Sequence, residues 1–277
     1  MTMLVRALST GRFALDGGAM FGNVPYTLWS RFHTPDDRFR IPLELRVLYA
    51  EGDGRRILVD TGTGHLWNSK EVSIYQVSAD NEPPVVKALR DIGVDPETIT
   101  DVILTHLHFD HAGGVTRRGD SEAPVLTFPN AVHHVQGRNL EAAMHPNPRE
   151  RASYLEHHWR PLLGARLRLL SGEGEILPDV WVTVSDGHTR GLQVVRFGQG
   201  EGAVIFPADM IPTAQHVAVP WTMGYDLWVE RLMEEKSELL EQAYEHGHHL
   251  VFEHDPHCSR ARVDREKERF VAVPIET

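Results

Sequence analysis

The apolar triplet Val102-Ile103-Leu104 runs directly into Thr105-His106-Leu107-His108-Phe109-Asp110-His111. A short apolar, β-branched run reads as a buried strand, so three imidazoles and a carboxylate arrive within six positions at a strand end. Imidazole and carboxylate suit zinc and its neighbours as ligands, and four of them gathered there amount to half of a two-metal site. Ala112-Gly113-Gly114 follow, a sequence that lets the backbone turn tightly into the next element. The chain holds 17 histidines, so the doublets His133-His134, His157-His158 and His248-His249 are discounted as chance neighbours. The segment 106–111 differs from them in its alternating histidines followed by an adjacent Asp-His pair.

At 277 residues, with 41% hydrophobic and 24% charged side chains, the chain has the composition of a globular protein with a sizeable core. No linker, low-complexity tract or internal repeat divides it, so a single domain over 1–277 is expected. No apolar stretch approaches the ~18 residues of a membrane helix, and Met1 to Asp16 does not read as an export signal. Cys258 is the only cysteine, which excludes an internal disulfide and fits a reducing compartment. The cytoplasm is therefore expected. The formal charge of −11 argues against nucleic acid as a partner, because phosphate backbones are bound through Lys and Arg. A small-molecule substrate is expected instead, no membrane partner is implied, and the sequence is compatible with a homodimer.

Short apolar runs recur between turn signals: 43–50, 56–59, 102–104, 125–128, 131–135, 181–184, 193–197, 203–206 and 249–252. Helical spacing marks 83–92, 138–144, 149–163 and 227–246. Many strands with interspersed helices imply a layered α/β or α+β fold. The segment 16–42 reads as a long Gly- and Pro-punctuated connection whose Met20, Phe21, Trp29 and Phe32 either wall a pocket or cap the core. Three further ligand candidates stand at strand ends: His188 after 181–184, Asp209 after 203–206, and His254 after 249–252. Strand ends that converge on one edge of a fold would bring them to the first cluster.

His-x-His-x-Asp-His after a strand, then Gly187-His188-Thr189, then Asp209 and His254, together resemble the metallo-β-lactamase-fold hydrolase superfamily, from Val59-Asp60-Thr61-Gly62 through Glu253-His254-Asp255. The resemblance implies an α/β fold, a four-layer αβ/βα sandwich, with two divalent ions at one edge of its sheets. Zinc is the first choice, and Mn, Co or Fe suit the same ligands. Carried over residue by residue, it implies His106, His108 and His188 on one ion, Asp110, His111 and His254 on the other, Asp209 bridging, and Asp60 supporting the motif from behind. Arg190-Gly191-Leu192 stands where many relatives read Pro-Gly-His, which weakens any link to the glutathione-thioester hydrolases and persulfide dioxygenases. Asp209 stands where some β-lactamases place a Cys ligand, and His108 is not the Glu of di-iron flavoproteins. The similarity is greatest to the lactonase-like and organophosphate-hydrolase-like branch. There, a loop such as 219–226 contacts substrate, and Tyr225 would offer its hydroxyl to a carbonyl oxygen or simply pack.

The activity implied is hydrolysis of an ester-type bond, foremost a lactone, by water whose pKa two shared ions draw toward about 7. Asp110 would orient that water and pass its proton to the leaving group, while Met20, Phe21, Trp221 and Met223 would contact an acyl chain. The alternatives are a phosphotriester-type hydrolase on the same site and a mononuclear iron oxidoreductase on the same scaffold. The chain has no Gly-x-Ser-x-Gly elbow, so no acyl-enzyme is expected.

Overall fold

Strand residues alternate between two hydrophobic clusters, and that alternation sets the layers. In the strand Arg40–Gly52 (β2), Leu48 and Ala50 point into one core while Val47 and Tyr49 point into another. Ile57 and Val59 flank Leu58 in the same way on Arg55–Val59 (β3), as Ile103 does between Val102 and Leu104 on and just beyond Asp101–Ile103 (β4). Side chains of a strand face opposite ways with period two, so a sheet that is apolar on both faces must be covered on both.

The computed structural model describes residues 3–78 and 80–275. With Leu4–Asp16 as β1, Val132–Gln136 as β7 and Arg166–Leu170 as β8, the first sheet has the order β1-β2-β3-β4-β7-β8. Thr116–Arg118 (β5) and Pro124–Leu126 (β6) form a separate hairpin. The second sheet has the order β15-β14-β13-β12-β11-β10-β9. Its strands are Gly174–Leu177 (β9), Val180–Ser185 (β10), Leu192–Phe197 (β11), Val204–Phe206 (β12), His249–Val251 (β13), Arg260–Glu266 (β14) and Arg269–Pro274 (β15). Leu48, Ile57 and Ile103 meet Val182, Val194 and Phe206 between the sheets. The helix Pro84–Asp91 lays Val85, Val86 and Leu89 on the outer face of the first sheet. The helix Val229–His246 contributes Leu232, Leu239 and Leu240 to the core of the second. The result is a four-layer αβ/βα sandwich, as the resemblance implied.

The direction of the strands carries the functional consequence. β3 and β4 run parallel, and so do β12 and β13. β10 and β12 each pair antiparallel with β11, so they share a direction too. The carboxyl ends of β3 and β4 in the first sheet therefore share an edge, as do those of β10, β12 and β13 in the second. There the sheets are stitched together: Gln193 N donates to Thr105 O at 2.9 Å, Glu44 N to His254 O at 3.2 Å, and Arg46 N to Glu253 O at 3.1 Å.

Two expectations are corrected. The stretch 149–163 is helical only over Glu156–Trp159, followed by a 3₁₀ turn from Arg160 to Gly164. Pro161 lacks the N–H that a continuing helix needs, and Ser153 O instead accepts from Phe109 N at 2.9 Å, tying this segment to the site. The connection 16–42 also has structure of its own. It forms the helices Gly17–Phe21 and Tyr26–Trp29, the first capped by the Asp16 side chain, which accepts from Ala19 N at 2.7 Å. No helix among the described residues is long and apolar enough to cross a membrane.

Candidate metal centre

Asp60 organises the end of β4. With φ of 59° it turns back across the sheet, and its carboxylate accepts from Thr105 N at 2.7 Å and from Thr105 Oγ1 at 2.6 Å. Its Oδ2 also lies 3.0 Å from His111 Nδ1. The loop after Asp60 then packs directly on the Gly113-Gly114 backbone. A Cβ on Gly113 would sit 2.2 Å from Thr63 O, and one on Gly114 2.2 Å from Thr61 O. The chain turns here as expected, through the 3₁₀ segment Gly113–Val115, but with φ at Gly113 of −61°, open to any residue, so it is the close approach that requires the two glycines.

Around this support the structure brings together all seven side chains expected as ligands, and they fall into two groups sharing one member. His106, His108, His188 and Asp209 form one group, and Asp110, His111, His254 and Asp209 the other. Asp209 faces both. Its Oδ2 is 3.2 Å from His188 Nε2 and 4.0 Å from His106 Nε2, while its Oδ1 is 3.1 Å from His254 Nε2 and 3.4 Å from His111 Nε2. Asp110 Oδ2 lies 3.7 Å from His254 Nε2 and 3.9 Å from His111 Nε2. Ligand atoms about 2.0–2.1 Å from a tetrahedral ion are about 3.3 Å from one another, and the spacings here scatter around that value.

The ring orientations follow from what the opposite nitrogens touch. His188 Nδ1 donates to Asp226 Oδ1 at 2.8 Å, and His254 Nδ1 to Glu44 O at 3.0 Å. His111 Nδ1 lies 3.0 Å from both Asp60 and Glu253. In each case Nε2 is left facing the centre, the arrangement by which a second acceptor fixes a ligand tautomer. His108 is reversed: its Nδ1 faces inward, 3.3 Å from His188 Nε2, and its Nε2 looks toward Glu150 Oε1 at 3.8 Å. Below it, Glu150 accepts from the Thr189 hydroxyl, which in turn meets Tyr154 OH at 2.7 Å.

The inward-facing atoms are costly as they stand. His106 Nε2, His111 Nε2, His254 Nε2 and Asp209 Oδ1 are buried and have no hydrogen-bond partner. Buried polar atoms are almost always paired, so a convergent set of inward-facing nitrogens and carboxylate oxygens fits a cation, which would displace the protons that His111 and His254 otherwise hold toward Asp209. The electrostatics agree. Burial lowers the pKa of His106 well below its ordinary value, and the imidazoles of His111 and His108 add to the effect. For His254 burial opposes protonation but the Asp209 carboxylate prevails, raising it to about 9. Burial would raise the pKa of Asp209, yet the imidazoles of His111, His188 and His254 hold it well below the usual carboxylate range. Burial pushes Glu253 up to about 8, with the neighbouring Asp60 charge adding to it.

A cavity of about 370 Å³ opens over Asp110, Asp209, His108, His188 and His254. Leu15, Met20, Tyr75, Phe109, Met223 and Tyr225 form its apolar walls. Met20 and Met223 thus occupy the expected place. Phe21 does not: it is fully buried, stacked on Trp29 at 5.6 Å and on His216 at 5.0 Å. Trp221 also faces elsewhere, onto a wider groove of about 1200 Å³ beside Phe270 that contains none of the seven ligand candidates. Tyr225 stands at the cavity with its hydroxyl pKa raised, by burial first and then by the Asp16 and Asp110 carboxylates.

The discounted histidine doublets stay outside both groups; His134, for example, donates to Asp101 at 2.8 Å. Glu150, Asp226 and Glu253 were not singled out from sequence. Glu253 directly precedes His254 and Asp226 closes the 219–226 loop, but nothing in the sequence says which ring either would meet, and Glu150 stands apart from every ligand candidate.

A four-layer sandwich with this cluster of His and Asp at its strand ends defines a metal-dependent hydrolase. Comparison with known proteins agrees: residues 46–248 match the Metallo-beta-lactamase superfamily, and the chain belongs to that family. It is 28% identical over 204 residues to N-acyl homoserine lactonase AiiA of Bacillus thuringiensis subsp. kurstaki, covering 70% of this chain and 74% of that one. Among solved structures, a probable metal-dependent hydrolase from Staphylococcus aureus superposes with a TM-score of 0.89 at 26% identity, covering 99% and 98% of the two chains. AidC, a dizinc quorum-quenching lactonase, shares the fold with a TM-score of 0.76 at 18% identity, covering 99% and 95%.

Proposed function

We propose that this hydrolase uses two divalent ions, zinc foremost, to open the ring of lactones of the N-acyl homoserine class. The observation that carries the reading is Asp209, whose two oxygens face two different histidine groups. One carboxylate serving two adjacent sites is what a dinuclear centre requires. In this reading His106, His108 and His188 hold one ion, Asp110, His111 and His254 the other, and Asp209 joins them. When bound, such a pair acidifies water and polarises a carbonyl oxygen. Support for the lactone comes from the named relatives and from the cavity, whose methionines and aromatics suit an acyl chain above a polar floor.

The chain's own residues then divide the work. Asp110 lies at the cavity floor within reach of both the centre and the substrate, so it orients the attacking water and hands its proton to the leaving alkoxide. Tyr225 keeps its proton at neutral pH and donates from the wall to a substrate carbonyl. Met20, Met223 and Phe109 exclude water around the acyl chain. The single cysteine suits a cytoplasmic setting.

The test combines metal analysis with a panel of lactones, thioesters, phosphotriesters and β-lactams. Two zinc-like ions per chain with preferred lactone turnover is the expected result. Robust phosphotriester turnover without lactone turnover would move the assignment to a phosphotriester hydrolase, and one iron per chain would move it to an oxidoreductase.

A further inference from the structure

Asp226 belongs to two structures at once. Its Oδ1 accepts from His188 Nδ1 at 2.8 Å, and its Oδ2 accepts from Met223 N at 2.6 Å. The carboxylate is almost fully buried, at 2% exposure, so neither bond is shared with bulk water. His188 is a member of the metal centre, and Met223 and Tyr225 are walls of the substrate cavity. The same connection is doubled through the backbone, where Leu227 N and Trp228 N donate to Gly187 O at 3.1 and 2.9 Å. From the other side, Gly224 N donates to Ala19 O at 2.7 Å, and Arg149 reaches Gly224 O and Asp226 O. Beneath the loop, Lys236 Nζ donates to Trp221 O at 2.7 Å.

We propose that Asp226 is a positioning residue that couples metal occupancy at His188 to the order of the substrate wall 219–226. This rests on the dinuclear reading above and extends it. A ligand imidazole held by a carboxylate is fixed in one tautomer and one orientation. Here the carboxylate is itself held by the loop, so whatever fixes His188 also fixes Met223 and Tyr225. The coupling is reciprocal by linkage: an ordered loop raises metal affinity as much as bound metal orders the loop. Only a group with two acceptor atoms can serve both donors. An amide offers a single acceptor oxygen, so Asp226→Asn satisfies either His188 or Met223 N, never both.

The experiment compares hydrogen exchange of the segment 219–228 in zinc-loaded and chelator-stripped protein, in the wild type and in D226N, alongside zinc affinity by chelator competition. In the wild type, stripping is expected to speed exchange in 219–228 at least about tenfold, with the interior of the helix Val229–His246 unchanged. In D226N, zinc affinity is expected to fall by about 10–100-fold, and loaded and stripped forms are expected to exchange alike over 219–228. Wild-type protein that loads with zinc yet shows equal exchange in both states overturns the coupling alone. So does D226N with unchanged zinc affinity, and so does D226N that still shows the wild-type exchange difference. Wild-type protein that takes up no zinc overturns the metal centre and the coupling with it. The wild-type comparison needs no variant, so the proposal stays refutable even where D226N folds poorly.

Discussion

His158 offers a measurable link between acidity and the integrity of the cavity wall. The ring is fully buried, both nitrogens lack a partner, and it packs on Trp67 at 5.4 Å. Trp67 in turn stands against Phe109, a wall of the substrate cavity, at 5.5 Å. Burial holds the pKa of His158 well below 6.5, and the nearby His157 and His65 lower it further. The native state therefore keeps the ring neutral while the unfolded state takes up a proton below pH 6.5. With more protons bound in the unfolded state, stability is full above that value and is lost as pH falls. Between pH 7 and 5.5 the loss from one such ring is roughly 1.2 kcal/mol. His133, lowered to about 4, and His216, lowered to about 3, are also buried and carry the same sign. Together the three come to about 3.5 kcal/mol, or about 6 °C in melting temperature for a chain of this length. The perturbation is His158→Phe, which keeps a flat ring against Trp67 and removes the titration. Urea denaturation of the zinc-loaded wild type and variant at pH 7 and 5.5 isolates the contribution, since the metal centre and the other histidines cancel in the difference. The variant is expected to lose roughly 1.2 kcal/mol less than the wild type over this interval. Equal losses in the two proteins would show that His158 is not held neutral by burial.

Asp110→Asn is expected to lower turnover by about 10²–10⁴-fold while far-ultraviolet circular dichroism stays native; unchanged kcat would remove Asp110 from its assigned role. Gly113→Ala would place a Cβ 2.2 Å from Thr63 O, backbone against backbone. It should cost more than about 3 kcal/mol, and a melting temperature within a degree of wild type would contradict the close approach. Met223→Ala enlarges the cavity wall, so the kcat/KM ratio of a ten-carbon to a four-carbon acyl lactone should rise about tenfold; an unchanged ratio would show that Met223 does not contact the chain. Free zinc held at about a thousandfold above its Kd should stabilise the stripped protein by about 4 kcal/mol for each ion bound, seen as a shift in the urea midpoint. Because the carboxylates hold His254 up to about 9, loading at pH 7 should also release protons into a weakly buffered solution. A loading step that leaves pH and midpoint unchanged would contradict both expectations.

What the sequence made legible follows from how local each signal is. The motif at 106–111 announces itself because one strand end supplies four of the candidate ligands, and His188, Asp209 and His254 each repeat the apolar-run-then-turn pattern. Core strands β2, β3 and β4 are apolar on both faces, so their runs are dense. β1, β8 and the β14–β15 hairpin are missed for the opposite reason. β1 buries only Leu8, Thr10, Phe13 and Ala14 along its length, in no regular alternation, and β8, Arg-Leu-Arg-Leu-Leu, buries only its last residue. Strands near sheet edges need little apolar patterning, because pairing with a neighbour holds them. The helix expected over 149–163 shows the converse error, where apolar spacing is real but Pro161 and the bond from Phe109 N to Ser153 O impose another path.

The supports of the candidate metal centre are less legible still, and the reason is chemical. A ligand must be a particular residue at a particular strand end, whereas its outer partner need only be an acceptor that arrives from somewhere. His188 takes that acceptor from Asp226, 38 residues away, and His254 from the backbone carbonyl of Glu44, which leaves no trace in side-chain identity; Asp60, 51 residues from His111, is legible only through the family resemblance. His254→Asn would therefore be read from sequence as a ligand loss, while a register shift of β2 would be just as damaging and invisible. Inserting one residue between Glu44 and Arg46 is the corresponding test. A one-residue slip moves every side chain of a strand to the opposite face and carries the Glu44 carbonyl away from His254 Nδ1, so zinc affinity should fall at least tenfold with every ligand still present. Retained affinity would mean that His254 is oriented by something other than β2.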